Sequence, residues 1–249
     1  MHTLVALSYS PWSEKARWAM DHHGLGYREK AYSPLFGAPI LRLRTGKFTG
    51  QVTVPTLFYG QGYLMDSFEI AKYADRVGRG EALIPEGSAR QIEGWNRESE
   101  RALSAGRALL IHNISGDAKA KEEYVPRLVP GFLRPLLAPM VARVGLGYFT
   151  RKYGLKALPP QHCLAVIREV LSKMRKILGG DSPYLCGRFS FADIAMAMVF
   201  QVVEPVSSEF IRIGSRSRPS WANPELAEEF PDLVAWRDEL YRKERRRNR

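Results

Sequence analysis

The sequence is short of the residues that build disulfide frameworks and metal centres: its 249 residues include 2 cysteines and 5 histidines. Cys163 and Cys186 have no Cys-x-x-Cys partner and no metal-ligand spacing around them. They are expected to be inert thiols in a reducing compartment. His22 and His23 are adjacent on a helical stretch and so point apart, while His2, His112 and His162 are isolated; no metal is expected. Nucleotide and hydrolase motifs are missing as well. Gly24-Leu25-Gly26 lacks the third glycine of a dinucleotide fingerprint, and Gly46-Lys47-Phe48 lacks the Ser or Thr that follows a P-loop lysine. There is no Gly-x-Ser-x-Gly elbow. The longest apolar stretch, Phe132 to Phe149, is interrupted by Arg134, Pro135, Pro139 and Arg143, which argues against a membrane span. The first residues carry no basic run, and their short apolar stretch reads as a strand rather than a signal peptide. A soluble, cytoplasmic protein is the expectation.

Acid is the scarce charge. The formal net charge is +11, and much of the excess lies at the carboxyl end, where Arg242, Lys243, Arg245, Arg246, Arg247 and Arg249 face only Glu244. Such a tail can contact an anionic partner. It also reads as a solvated, frayed helix end whose cations suit the helix dipole. With no basic face interleaved with aromatics, nucleic acid is not expected and the frayed end is preferred.

What is present is a globular composition, 45% hydrophobic and 25% charged, long enough for two modest domains. Thr3 to Leu7 reads as a strand. Ser13 to His23 reads as a helix, with Ala16, Ala19 and Met20 at helical spacing and Gly24 to stop it. Tyr27 to Tyr32 is a second strand. Ser33 to Gly50 reads as irregular, because Pro34, Gly37, Pro39, Gly46 and Gly50 interrupt any long element. Thr56 to Tyr59 and Tyr63 to Met65 flank Gly60-Gln61-Gly62 as a hairpin, and a helix opens at Asp66-Ser67.

From Ser88 the pattern turns helical. Long helices are expected over Ser88 to Asn113 and Gln161 to Leu178, a buried one over Ser190 to Val203, and an amphipathic one over Pro224 to Arg247. Between them, Pro126 to Pro160 is apolar, basic and punctuated by six prolines. It could be a helical hairpin packed on the core, a pocket lining, a membrane-surface segment or a partner site.

Chemistry-bearing residues gather at element ends. In Ser8-Tyr9-Ser10-Pro11-Trp12-Ser13-Glu14-Lys15-Ala16-Arg17 the first strand turns into the first helix. A helix amino terminus presents unpaired N–H groups and partial positive charge, so a sulfur held there is favoured as thiolate. With a hydroxyl at Ser10, any sulfur held there would have to come from a ligand; Ser10 and Ser13 also read as helix caps. This stretch resembles the active-site turn of serine-type and cysteine-type glutathione transferases, and has the outline of a glutaredoxin Cys-Pro-x-Cys motif with Ser10 and Ser13 in the cysteine positions. Val54-Pro55-Thr56-Leu57 resembles the segment that carries the cis-proline of thioredoxin-like proteins. Asp66-Ser67 resembles the acid–serine pair that holds the γ-glutamyl group in glutathione transferases. Tyr184-Leu185-Cys186-Gly187-Arg188-Phe189-Ser190-Phe191-Ala192-Asp193-Ile194 resembles the folding signature of that family's helical domain, with Ser190 and Asp193 at capping-box spacing.

The resemblance implies an α/β thioredoxin-like domain over residues 1–80, followed by an all-α domain over 88–249 with an unusual Pro-rich segment at 126–160. It implies glutathione as co-substrate, no metal, a homodimer and a role in detoxification. Ser10 would donate to the glutathione thiolate, the Val54 backbone before Pro55 would bind its peptide part, and Asp66 and Ser67 would hold its γ-glutamyl end. Trp12 would border a small hydrophobic electrophile. Tyr9 and Ser13 are the alternative catalytic residues. Ser10 is preferred over Tyr9 because Pro11 and the helix follow it at glutaredoxin spacing, and neighbouring strand residues face opposite ways. A non-catalytic interaction or scaffold protein, and a glutathione-dependent isomerase or lyase, are the rival readings.

Overall fold

Strand β1 (His2–Ala6) sets the plan of the amino-terminal half. It alternates Leu4 and Ala6 toward one face of the sheet and Val5 toward the other. Helix α1 (Pro11–His22) follows, then β2 (Tyr27–Ala31), α2 (Gly37–Thr45), β3 (Thr56–Tyr59), β4 (Gly62–Met65) and α3 (Ser67–Val77). The sheet order is β2-β1-β3-β4, with β1 and β2 parallel and the other pairs antiparallel. Ala16 and Met20 of α1 and Ile70 of α3 pack on the Leu4 face, while Leu41 of α2 covers the Val5 face. The computed structural model describes residues 1–33, 37–123, 130–152, 158–180 and 182–245. Pro34, the stretches 126–129 and 153–157, and Arg246, Arg247 and Arg249 lie outside the described residues.

Helix α2 occupies a stretch expected to be irregular. Its breakers sit where they do no harm. Pro39 falls in the first turn, where an N–H has no helical partner anyway, and Gly46 leaves the helix at φ +66°. The hairpin forms as expected: Tyr59 pairs with Gly62, and Gly60 takes φ +50°.

The rest is helical: α4 (Ala89–Gly116), α5 (Ala118–Glu123), α6 (Arg134–Lys152), α7 (Pro160–Leu178), α8 (Phe191–Ala197), α9 (Arg218–Trp221), α10 (Pro224–Glu229) and α11 (Pro231–Glu244). The 3₁₀ turn Met198–Val202 continues α8. These elements surround a core drawn from α4, α7, α8 and the 3₁₀ turn. Gly106 lets α4 close on that turn, since a Cβ there would lie 2.5 Å from the Val202 side chain. The helix expected over 224–247 is two helices, because Pro231 cannot donate to the preceding turn and opens a new one. Helix α6 fills the middle of the Pro-rich segment and packs on α5 and α4, with Pro139 inside it.

Asp193 organises the start of α8. Its carboxylate accepts from Leu185 N (2.8 Å), Ser190 N (2.9 Å) and Ser190 Oγ (2.9 Å). The expected capping box forms, and its arm from the Ser190 N–H to the Asp193 carboxylate measures 2.9 Å. Cys163 is buried and Cys186 half-buried; burial pushes both thiols up, Cys186 to about 11.

The carboxyl end corrects the preferred reading of the tail as a solvated, frayed end. Arg242 and Lys243 are exposed and pair with Glu239. Arg245 instead is buried, with Nε 2.7 Å from Glu14 and Nη1 2.7 Å from Asp21 of α1. On the same face of α1, Arg17 bridges Glu14 (3.2 Å) and Glu29 of β2 (2.9 Å). Composition cannot show this, because the partners lie more than two hundred residues away.

Replacing Arg245 with Met should lower the unfolding free energy by about 3–5 kcal/mol, because the buried Asp21 loses its paired cation and Glu14 keeps only Arg17. The loss should shrink toward acid pH as Asp21, whose carboxyl is pushed up by burial, takes up its proton. Urea melts on both sides of the carboxylate range test this, and a pH-independent loss below about 1 kcal/mol would refute the ion cluster. Asp193 gives a second test. Burial raises its carboxyl to about 6, so the folded state holds the proton more tightly than the unfolded chain. Its contribution is complete below the unfolded value and is lost as pH rises through about 6. The stability of the wild type relative to Asp193→Asn should therefore fall over that window; a flat difference contradicts it.

Candidate functional site

Sheet register gathers the expected residues at one end of the sheet. Val5 lies opposite Thr56, and Thr56 opposite Met65. The turn after β1, the residues before β3 and those after β4 therefore sit side by side, over roughly 10 Å at ~4.8 Å per strand. Ser10, Val54-Pro55 and Asp66-Ser67 occupy these three positions.

Ser10 caps α1. Its φ and ψ are −81° and 124°, and its Oγ accepts from Ser13 N at 3.3 Å. Among the described residues no group accepts its hydroxyl proton. Pro11 opens the helix at a position that needs no N–H. Ser13 is fully buried and its Oγ accepts from Leu7 N (3.1 Å), so its hydroxyl holds the strand-to-helix turn. Tyr9 turns toward the helical half, its ring edge-on to Trp221 at 6.2 Å.

The Val54–Pro55 bond is cis. Within the described residues, no backbone hydrogen bond uses the Val54 N–H or carbonyl, although both flank a strand edge. Asp66 has a φ of +88°, a strained value for a non-glycine residue, and its carboxylate accepts from Phe68 N (2.8 Å) and Glu69 N (3.3 Å). Ser67, in the first turn of α3, is buried with an Oγ that has no hydrogen-bond partner among the described residues. A buried, unpaired hydroxyl in the first turn of a helix is suited to an anionic ligand group.

A second polar group lies beneath these residues, where α1 meets α4. Lys15 is buried, with Nζ 2.8 Å from Glu100 Oε1 and 3.3 Å from Asn96 Oδ1. Burial lowers its pKa, while Glu100 first and then the Asp66 charge oppose that shift. Glu100 also accepts from Trp12 Nε1 at 2.6 Å, and the Arg107 guanidinium stacks 4.0 Å from the Trp12 ring centre. Trp12, expected at an apolar pocket wall, is thus held by polar groups of α4. Lys15, Asn96 and Glu100 were not among the expected site residues. The available signal was positional: Lys15 precedes Trp18 and Ala19 by three and four residues, which puts it on the inward face of α1, and Asn96 follows the buried Ile92 by four.

A small mixed sheet carrying a cis-proline before β3, with a helical half packed behind it, is the thioredoxin-like arrangement. Two family models match: "Glutathione S-transferase, N-terminal domain" over residues 9–77 and "Glutathione S-transferase, C-terminal domain" over 137–239. The chain belongs to the glutathione S-transferase superfamily. No curated protein matches the sequence. Among solved structures, a glutathione S-transferase domain-containing protein of Marinobacter aquaeolei VT8 superposes with TM-score 0.61 at 17% identity, covering 97% of this chain and 98% of that one. Rice GST1 in complex with glutathione gives TM-score 0.61 at 16% identity, with 98% and 88% covered. A Methylobacillus flagellatus KT glutathione S-transferase with glutathione bound gives TM-score 0.59 at 15% identity, with 98% and 95% covered. At these identities the likeness is one of fold.

The cap and the unpaired hydroxyl make opposite forecasts for the ligand-free protein. Asp66→Ala should lower stability by about 1–2 kcal/mol through loss of the α3 cap. Ser67→Ala should change it by less than about 0.5 kcal/mol, since its hydroxyl has no partner to lose. Chemical denaturation of both variants checks the pair; a large loss for Ser67→Ala would mean that its hydroxyl is bonded in the fold.

Proposed function

We propose that the protein is a glutathione transferase that joins the glutathione thiolate to small hydrophobic electrophiles. The observation that carries this reading is the set of unused hydrogen-bonding groups at one sheet end: the Ser10 hydroxyl proton, the Val54 backbone and the Ser67 Oγ. Neighbours of the same fold solved with glutathione bound support it.

In this reading the tripeptide adds as a short strand along the Val54 backbone. Its γ-glutamyl carboxylate meets the α3 amino terminus and Ser67, and the Asp66 oxygen not engaged in capping faces its ammonium group. The thiol lies at the α1 amino terminus, where the helix field and the Ser10 hydroxyl favour thiolate. Ser10 keeps its capping bond from Ser13 N and still donates. The thiolate then attacks the electrophile between Trp12 and α4. The family resemblance adds a homodimer, a cytoplasmic location and a detoxifying role.

A non-catalytic role in the same family draws on one specific observation: the Ser10 Oγ is already engaged as a helix cap. Retention on immobilised glutathione, together with turnover of an activated aryl chloride, separates the two readings. Ser10→Ala should lower kcat about a hundredfold and raise the pKa of the bound thiol, read from its ultraviolet thiolate absorbance. Ser67→Ala should weaken glutathione binding about tenfold by calorimetry, the loss of roughly one charge-assisted hydrogen bond. Wild-type protein that passes unretained through the resin would sink the proposal, and so would an unchanged thiol titration in Ser10→Ala.

A further inference from the structure

Helix α6 is built inside out. The side that packs on α5 and α4 presents alanines, Ala138 and Ala142, both buried. Leu137 and Val141 are half-buried, while a row of larger apolar side chains faces away from the protein: Leu136 is 75%, Met140 60% and Val144 65% exposed, and Phe132 in the preceding 3₁₀ turn is 80% exposed. Spaced four apart, these residues form a nearly continuous row along the helix, about 18 Å long at ~1.5 Å per residue. A row of large exposed apolar side chains on consecutive turns differs from the scattered exposed apolar residues that any surface carries.

Charge selects what covers it. Between Glu123 and Glu169 the sequence has no acidic residue, and α6 itself carries Arg134, Arg143, Arg151 and Lys152. Arg143 and Arg151 are exposed, and at ~100° per residue they fall on the same outward side as Leu136 and Met140. Two copies of this face brought together about a two-fold axis would set arginines against arginines with no acid to relieve them. Among the described residues no helix is long and apolar enough to cross a membrane. A convex apolar ridge flanked by cations fits a soft, negatively charged medium that takes the side chains at its acyl boundary while its headgroups neutralise the arginines.

We propose that the outward face of α6 docks the protein on an anionic lipid bilayer, with the helix lying in the plane of the headgroups. Phe132, Leu136, Met140 and Val144 insert, and Arg143 and Arg151 pair with lipid phosphates. Helix α6 supplies none of the sheet-end site residues, and the proposal stands independently of the glutathione chemistry.

Sedimentation of the full chain with vesicles tests it. The wild type should pellet with phosphatidylcholine vesicles containing about 30% phosphatidylglycerol, at least tenfold more tightly than with phosphatidylcholine alone, and about 0.5 M salt should release most of it. The double variant Leu136→Gln/Met140→Gln should lose about tenfold or more of this affinity, and Arg143→Glu/Arg151→Glu should lose a comparable factor. All four positions are exposed, so both variants should keep the wild-type thermal transition, which separates lost docking from lost folding. Failure of the wild type to pellet with anionic vesicles overturns the proposal, as does equal pelleting of the glutamine variant. Equal affinity for neutral vesicles overturns the role of charge. Self-association by light scattering that the glutamine substitutions abolish, without vesicle binding, assigns the face to a second copy of this chain instead.

Discussion

The structure depends on enclosing a charged helix. Helix α1 carries Glu14, Lys15, Arg17 and Asp21 into the interior, because the sheet covers one side of it and the helical half the other. Unpaired, each of these charges would cost several kcal/mol to bury. Each is matched instead by a partner from a different part of the chain: Glu100 from α4 for Lys15, Glu29 from β2 for Arg17, and Arg245 from the carboxyl end for Glu14 and Asp21. The two halves are thereby joined by ion pairs with specific geometry as well as by apolar contact. His23 and Asp75 extend the same logic to the connection between the halves, where the Asp75 carboxylate also accepts from Leu83 N and Ile84 N.

That enclosure determines the character of the sheet-end site. Ser10 sits at the amino terminus of a helix whose side chains are locked by these pairs, so the turn that holds it is rigid before any ligand arrives. The groups that do not take part in the fold's own bonding, at Val54 and Ser67, flank neighbouring strands at the same end of the sheet. A site made of leftover hydrogen-bonding capacity on a rigid frame is suited to a small polar peptide. The half-exposed Glu100, held by Lys15 and Trp12, adds a carboxylate where the two halves meet.

The helical half has a different economy. Its core is dominated by α4, α7, α8 and the 3₁₀ turn, and among the described residues it includes none of Phe132, Leu136, Met140 and Val144. Helix α6 buries Ala138 and Ala142 on its inward side, while its outward apolar row stands in solvent in the described fold. An apolar surface that folding does not use, in a stretch without acid, is more simply explained by an external partner than by packing.

Much of the architecture was legible in the sequence. Period-two and helical spacing located β1, β3, β4, α1, α4, α7 and α8 to within a few residues, because those elements bury one face and their pattern records which one. The family and the order of its site segments were likewise readable from Ser10-Pro11, Val54-Pro55, Asp66-Ser67 and Ser190 to Asp193, since caps and turns are made by near neighbours. Helix α2 was hidden by prolines and glycines that fall at its ends, and the break at Pro231 by an apolar pattern that runs through it. What only the tertiary structure decided were contacts between distant residues: the burial of Arg245 by α1, the Lys15–Glu100 pair, and the outward turn of α6. A local pattern shows that a side chain is charged or apolar. Whether it is buried, paired or left facing solvent depends on which surfaces long-range packing brings against it.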